Sequence, residues 1–180
     1  SVYGATKVAC ESLVNAYTAQ GKVLGTSLRF TNLVGSGMTH GVVLDIINKL
    51  KSSRDYYLEL YGNAPGSYRQ FVHVSDACYG ATVLARRFAT NNERVSHGAV
   101  NIAASDSICI YQVAIAAMEV FGITKQIKGL GLSSEAEGNV RGIHLSDHKL
   151  HSWAGHRPGP SLPAVVKALQ ETKELMEAAK

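Results

Sequence analysis

The chain has 180 residues, 46% of them hydrophobic and 18% charged, which suits one medium domain with a real core and argues against disorder. The net charge of +4 is mild and its basic residues are scattered, with no Lys/Arg run and no aromatic platform interleaved with one, which argues against nucleic-acid binding. Three widely spaced cysteines, Cys10, Cys78 and Cys109, read as reduced thiols of a cytoplasmic protein, and no stretch approaches the roughly 18 unbroken apolar residues of a membrane span.

In chain order, Gly4 to about Gln20 reads as a helix with Val8, Leu13, Val14 and Tyr17 as its apolar stripe and Gly21 as its stop. KVLGTSLRFTNLVG reads as one buried strand closed by Gly35 and Gly37. Val42 to Leu50 is a second helix with Val43, Ile46, Ile47 and Leu50 on one side. YLELYG alternates as a short strand and stops at the turn signal NAPG. YRQFVHVSD is a further strand, after which Ser75 or Asp76 is placed to cap the helix ACYGATVLARRFA. GAVNIAAS is a strand, Ile108 to Phe121 a helix, TKQIKGLGL a weak strand, and SDHKLHSWAG a short helix ended by Gly155. The last helix has Ser161 as its expected N-cap, Pro163 in its first turn, and Leu162, Val165, Val166, Leu169 and Met176 on its apolar face. Strands alternating with helices predict an α/β architecture.

Tyr3 and Lys7 share one face of the first helix, being four residues apart. By spacing alone this is also an ordinary surface pair. Cys10 lies one turn further on and reads as a buried small residue rather than a reactive thiol. His73, His144, His148 and His151 invite a metal reading, but no cysteine or carboxylate cluster accompanies them, so a solvated helix face is the expectation and no metal is assigned.

Five segments change the weight of the Tyr–Lys pair. YGATK, LRFTNLVGSG, YGNAPGSYRQFVHVSDA, AVNIAASDSI and DHKLHSWAGHRPGPSL follow one another in an order and spacing that resemble the second half of extended short-chain dehydrogenase/reductases. These are NAD-dependent nucleotide-sugar epimerases and dehydratases, of the UDP-glucose 4-epimerase-like kind. The resemblance implies the C-terminal part of a Rossmann-type doubly wound parallel sheet plus a small α/β substrate lobe. Residues 1–37 and about 69–104 would supply the last Rossmann elements, and about 38–68 and 105–180 mostly the lobe. It implies NAD or NADP as cofactor and a nucleotide-sugar as substrate.

The resemblance also implies roles. Tyr3 is the acid/base that moves a proton at a sugar hydroxyl, and Lys7 favours the phenolate and anchors the nicotinamide ribose. A phenol with a pKa of about 10 is a poor base at neutral pH, and a cation on the same helix face favours its ionised form. Phe30 lies by the nicotinamide. Asn32 approaches the phosphate side of the nucleotide, where its alternative is a plain turn residue. Arg69 takes the substrate diphosphate, a task that suits a guanidinium fork, although Gln70 replaces the usual acidic residue beside it. Arg141 is a candidate second phosphate ligand. The Arg-Pro-Gly that often precedes this point in the family is replaced by Glu135-Ala136-Glu137-Gly138.

The family's glycine-rich dinucleotide turn and its catalytic Ser or Thr lie upstream of the Tyr–Lys helix and are not among these 180 residues. The chain therefore reads as a part of a full enzyme. The alternatives are one subunit of a split enzyme and a non-catalytic nucleotide-sugar-binding module. A homodimer or the missing N-terminal half is the expected partner, with Val8, Leu13 and Tyr17 as the side chains it would contact.

Overall fold

The computed structural model describes residues 1–52, 55–62, 64–91, 98–131 and 142–179. The chain runs α1 (Val2–Ala19), β1 (Ser27–Phe30), β2 (Asn32–Val34), α2 (Val42–Ser52), β3 (Tyr57–Leu60), β4 (Tyr68–Arg69), β5 (Phe71–His73), α3 (Val74–Asn91), β6 (Ala99–Ile102), β7 (Ile108–Cys109), α4 (Ile110–Phe121), β8 (Gln126–Gly129), α5 (His148–Ala154) and α6 (Ser161–Ala178). Three strand pairs are parallel: β1 with β6, β2 with β5, and β3 with β8; β4 and β7 pair antiparallel. Parallel neighbours need crossovers, and helices supply them here, which gives the expected α/β class.

Two stretches read as single strands are each broken by one residue. Between β1 and β2 the Thr31 amide still donates to Ile102 O on β6, whereas the next amide, Asn32 N, donates to Gln70 O. The chain changes neighbour at Thr31, so KVLGTSLRFTNLVG is not one buried strand: Phe30 and Leu33 stay exposed. The second break is at Gln70, between β4, which pairs with β7, and β5, which pairs with β2.

The apolar periodicities find two cores. On α2, Val43, Ile46, Ile47 and Leu50 are all buried, as the 3.6-residue period requires, and they pack with β3, α4 and α6. Val72, Ala77, Leu84, Val100, Ile102, Ala104 and Leu150 form the other cluster, between β5, α3, β6 and α5. Adjacent residues of a strand face opposite ways, so β5 serves both, with Phe71 in the first core and Val72 in the second.

Three local expectations are corrected. Ser161 is the first residue of α6 rather than its N-cap, and it is fully buried. Its hydroxyl accepts from Phe71 N (3.0 Å) and donates to Asp106 O (2.9 Å), while Asp106 Oδ1 accepts from Ser161 N (2.6 Å). Asp76 lies inside the first turn of α3 and accepts from Gly159 N at 3.1 Å, whereas the Ser75 amide donates to His73 Nδ1 at 3.3 Å. Ile108 and Cys109 form β7, because Cys109 has extended backbone (φ −81°, ψ 157°), and α4 starts only at Ile110. No described helix is long and apolar enough to cross a membrane.

Candidate functional site

The site starts at the first turn of α1. Ser1 caps the helix, its hydroxyl oxygen accepting from Gly4 N at 3.1 Å. The 3.6-residue turn then stacks Lys7 over Tyr3, with the ammonium 5.2 Å from the ring centroid, a cation–π distance. Tyr3 is 72% exposed.

The orientation of α1 follows from two contacts. Glu11 takes a bidentate grip from Arg29 on β1, at 2.7 and 2.6 Å. Further along, a side chain at Gly25 would meet Val14 and Thr18 at 3.0 and 3.1 Å, so these two residues of α1 lie closely over Gly25. Going up α1 from Glu11 to Thr18 therefore means going down the chain from Arg29 to Gly25, and α1 runs antiparallel to β1. At about 1.5 Å per residue, Lys7 and Tyr3 then extend roughly 6 and 12 Å past Glu11, toward the carboxyl end of β1. Phe30 lies at that end, half-exposed. Crevices outside the carboxyl ends of parallel strands are where α/β folds bind ligands. The Arg29 guanidinium, through its hydrogen bonds and charge, holds the Glu11 carboxyl below its ordinary value against the effect of burial.

The other sequence candidates fall on both sides of the break at Gln70. Asn32 donates twice to Gln70 O, from its backbone amide at 3.2 Å and from Nδ2 at 2.9 Å. Arg69 is half-buried beside it, with Nη1 donating to Tyr68 O at 3.0 Å. The structure thus brings Tyr3 and Lys7 together, and Asn32 and Arg69 together through Gln70. Arg141 lies outside the described residues.

A second polar cluster escaped the sequence reading, because its members come from β5, α3 and α6. Buried His73 bridges Ser75 Oγ through Nδ1 (2.7 Å) and Glu171 Oε2 through Nε2 (3.1 Å). Glu171 also accepts from Ser36 N at 3.1 Å, and Lys167 Nζ donates to Ser75 Oγ at 3.2 Å. Burial raises the Glu171 carboxyl, but His73, the Ser36 amide and the Lys167 charge together hold it below its ordinary value. A pocket of about 210 Å³ lies beside the cluster, lined by His73, Ser75, Asp76, Pro160, Pro163 and Lys167 among others. Among the described residues no group of three His, Cys, Asp or Glu could hold a metal ion, and His144 instead meets Ser107 Oγ at 3.1 Å. Cys10 is exposed rather than buried, since nothing in the described chain covers its face of α1.

Solved structures share this fold. A UDP-galactose 4-epimerase matches with 26% identity and a TM-score of 0.83, over 98% of this chain and 54% of that one. UDP-glucose 4-epimerase from Thermus thermophilus, solved with NAD, matches at 22% identity and 0.76, over 96% of this chain and 54% of that one. dTDP-glucose 4,6-dehydratase from Bacillus anthracis str. Ames, also with NAD, matches at 20% and 0.75, over 100% of this chain and 53% of that one. The last two identities speak for the Rossmann-like fold alone. The chain spans about half the length of these solved chains. No curated protein matches the sequence. The model of one family, "NAD dependent epimerase/dehydratase family", matches residues 1–103, which is more than half of the chain, and the chain belongs to that family.

Proposed function

We propose that the chain is the acid/base and substrate-holding part of an NAD- or NADP-dependent enzyme that epimerises or dehydrates a nucleotide-sugar by transient hydride transfer. One observation carries this reading: Tyr3 and Lys7 stack on an exposed helix face that overhangs the carboxyl end of β1. The residues fit the ribose–nicotinamide end of such a cofactor. An ammonium and a phenol suit hydroxyl groups, the half-exposed Phe30 ring suits the nicotinamide face, and Thr31 Oγ1 is a buried oxygen without a hydrogen-bond partner among the described residues. When bound, the dinucleotide supplies the hydride acceptor and donor.

The chain's own residues then divide the work. Tyr3 takes a proton from a sugar hydroxyl at its phenol oxygen and returns one there. Lys7 holds the ribose and keeps a positive charge beside the phenol. Arg69, Arg141 and Asn32 hold the diphosphate, the two guanidinium groups by charge and paired N–H donors, the amide by hydrogen bonding. We assign 1–37 and about 69–104 to the cofactor side, and about 38–68 and 105–180 mostly to the substrate lobe. The three free thiols support a cytoplasmic protein.

A second reading is a subunit of a split enzyme or a non-catalytic binding module. The exposed Val8, Leu13 and Tyr17 on α1 favour a covering partner, which is a second copy or the cofactor-binding half of the protein. Both readings meet one test. The full natural chain is assayed with NAD and UDP-sugars, alone and as Tyr3→Phe. The first reading expects kcat to fall about 10²- to 10⁴-fold with UDP affinity kept. Unchanged turnover in Tyr3→Phe removes Tyr3 from catalysis, and UDP binding without any turnover leaves the module.

A further inference from the structure

Gln70 is 1% exposed, sits at the break between β4 and β5, and receives at its carbonyl the Asn32 amide just past the break at Thr31. Among the described residues the Gln70 side chain makes three hydrogen bonds. Nε2 donates to Ala104 O at 2.7 Å and to Leu145 O at 3.0 Å, while Oε1 accepts from Leu145 N at 2.6 Å. The two bonds to Leu145 are reciprocal, so the amide copies a rung of a β-ladder. A parallel bridge between Tyr68 and Gly142 lies just before this rung, and Asn101 Nδ2 donates to Ser146 O at 3.0 Å just after it. The segment from Gly142 to Asp147 is thereby laid along the chain at 68–70 without forming a regular strand. On the other side, Gln70 O accepts both Asn32 donors.

We propose that Gln70 is a positioning residue that holds the phosphate-binding side of the site together: its side chain locks Gly142–Asp147 against the sheet, and its carbonyl fixes Asn32. This rests on the reading under Proposed function. The chain neighbour of Gln70 is Arg69, and its backbone carbonyl receives Asn32, so two of the proposed diphosphate ligands adjoin the residue that this lock holds in place. In this chain the place offers two carbonyl oxygens that need donors and one N–H that needs an acceptor, and the Gln70 amide supplies all of these. A glutamate here would keep the Leu145 N donor but face Ala104 O and Leu145 O with no hydrogen to give.

The test uses the full natural chain as wild type, Gln70→Glu and Gln70→Leu. UDP affinity, KM and kcat with a UDP-sugar, melting temperature and the hydrogen exchange of the Leu145 amide are measured. The expected result is a protected Leu145 amide in the wild type that exchanges at least about tenfold faster in both variants. UDP affinity should fall and KM rise about tenfold, while kcat at saturation stays within about threefold, because α1 is untouched. A wild type that binds no UDP overturns the reading of the site, and this inference with it. A wild type that binds UDP, with folded variants that bind it equally well, overturns this inference alone. If neither variant folds, the wild type decides: a Leu145 amide that exchanges as fast as an exposed loop amide overturns the lock, and slow exchange upholds it.

Discussion

Arg69 shows how much a single side chain's shape matters. A guanidinium binds a diphosphate through two parallel N–H donors, whereas an ammonium binds as a point charge. Arg69 is half-buried next to an amide that is fully committed, so its backbone cannot shift to help a shorter reach. Arg69→Lys is expected to raise KM for a UDP-sugar about tenfold with little change in kcat, and steady-state kinetics on the full natural chain checks this. An unchanged KM would overturn the proposed role of Arg69 on the diphosphate. Tyr3 differs, because its loss should appear in kcat. Both residues stand out in the sequence as candidates, since each belongs to a short contiguous motif. Gln70 was legible only as a departure from a pattern, because its three side-chain partners lie 34 and 75 residues away.

Among the elements, α6 is tied to the β5 end of the sheet by Glu171 and His73. The folded Glu171 carboxyl lies below its ordinary value of 4.5, so the unfolded chain binds its proton more readily. Its contribution to stability is therefore fully present above about pH 4.5 and is lost as the pH falls through the lower folded value. Glu171→Gln is expected to cost about 1–2 kcal/mol at pH 7, because a buried imidazole, a backbone amide and a lysine lose a charged acceptor. Urea unfolding of wild type and variant should show this difference shrinking as the pH drops from 7 to 3, and a difference that is constant with pH would remove Glu171 from the linkage. The Glu11–Arg29 tie between α1 and β1 is a weaker case, since Arg29 is 52% exposed and water screens the pair. With only Thr18 buried along its 18 residues, α1 is weakly supported by the described core.

For the whole molecule, stability concentrates where α2, β3, α4 and α6 meet. Ile47 is fully buried there, and Ile47→Ala is expected to cost about 3 kcal/mol through lost burial and a cavity, measured by urea unfolding. A cost below about 1 kcal/mol would mean that this core is loosely packed. The same cluster gathers residues from Val34 to Leu169, so the part of the chain that follows the family match at 103 is built into the same core as the part within it. At the other extreme, α1 leaves Val2, Tyr3, Val8, Leu13 and Tyr17 exposed.

Local chemistry was readable without coordinates. The helical period of α2, the left-handed glycine stop of α5 at Gly155, the alternation of β3 and the Tyr–Lys spacing are all set by residues within a turn or two of each other, and the structure keeps each of them. What only the tertiary structure decided are the choices among distant partners. Thr31 and Gln70 end strands because their neighbours change there. Ser161 serves Phe71 and Asp106 instead of its own helix, and His73 finds Glu171, 98 residues away. A backbone donor or a buried polar side chain takes whichever acceptor the packing brings within about 3 Å, and that distance is set by the fold as a whole rather than by any neighbour in sequence.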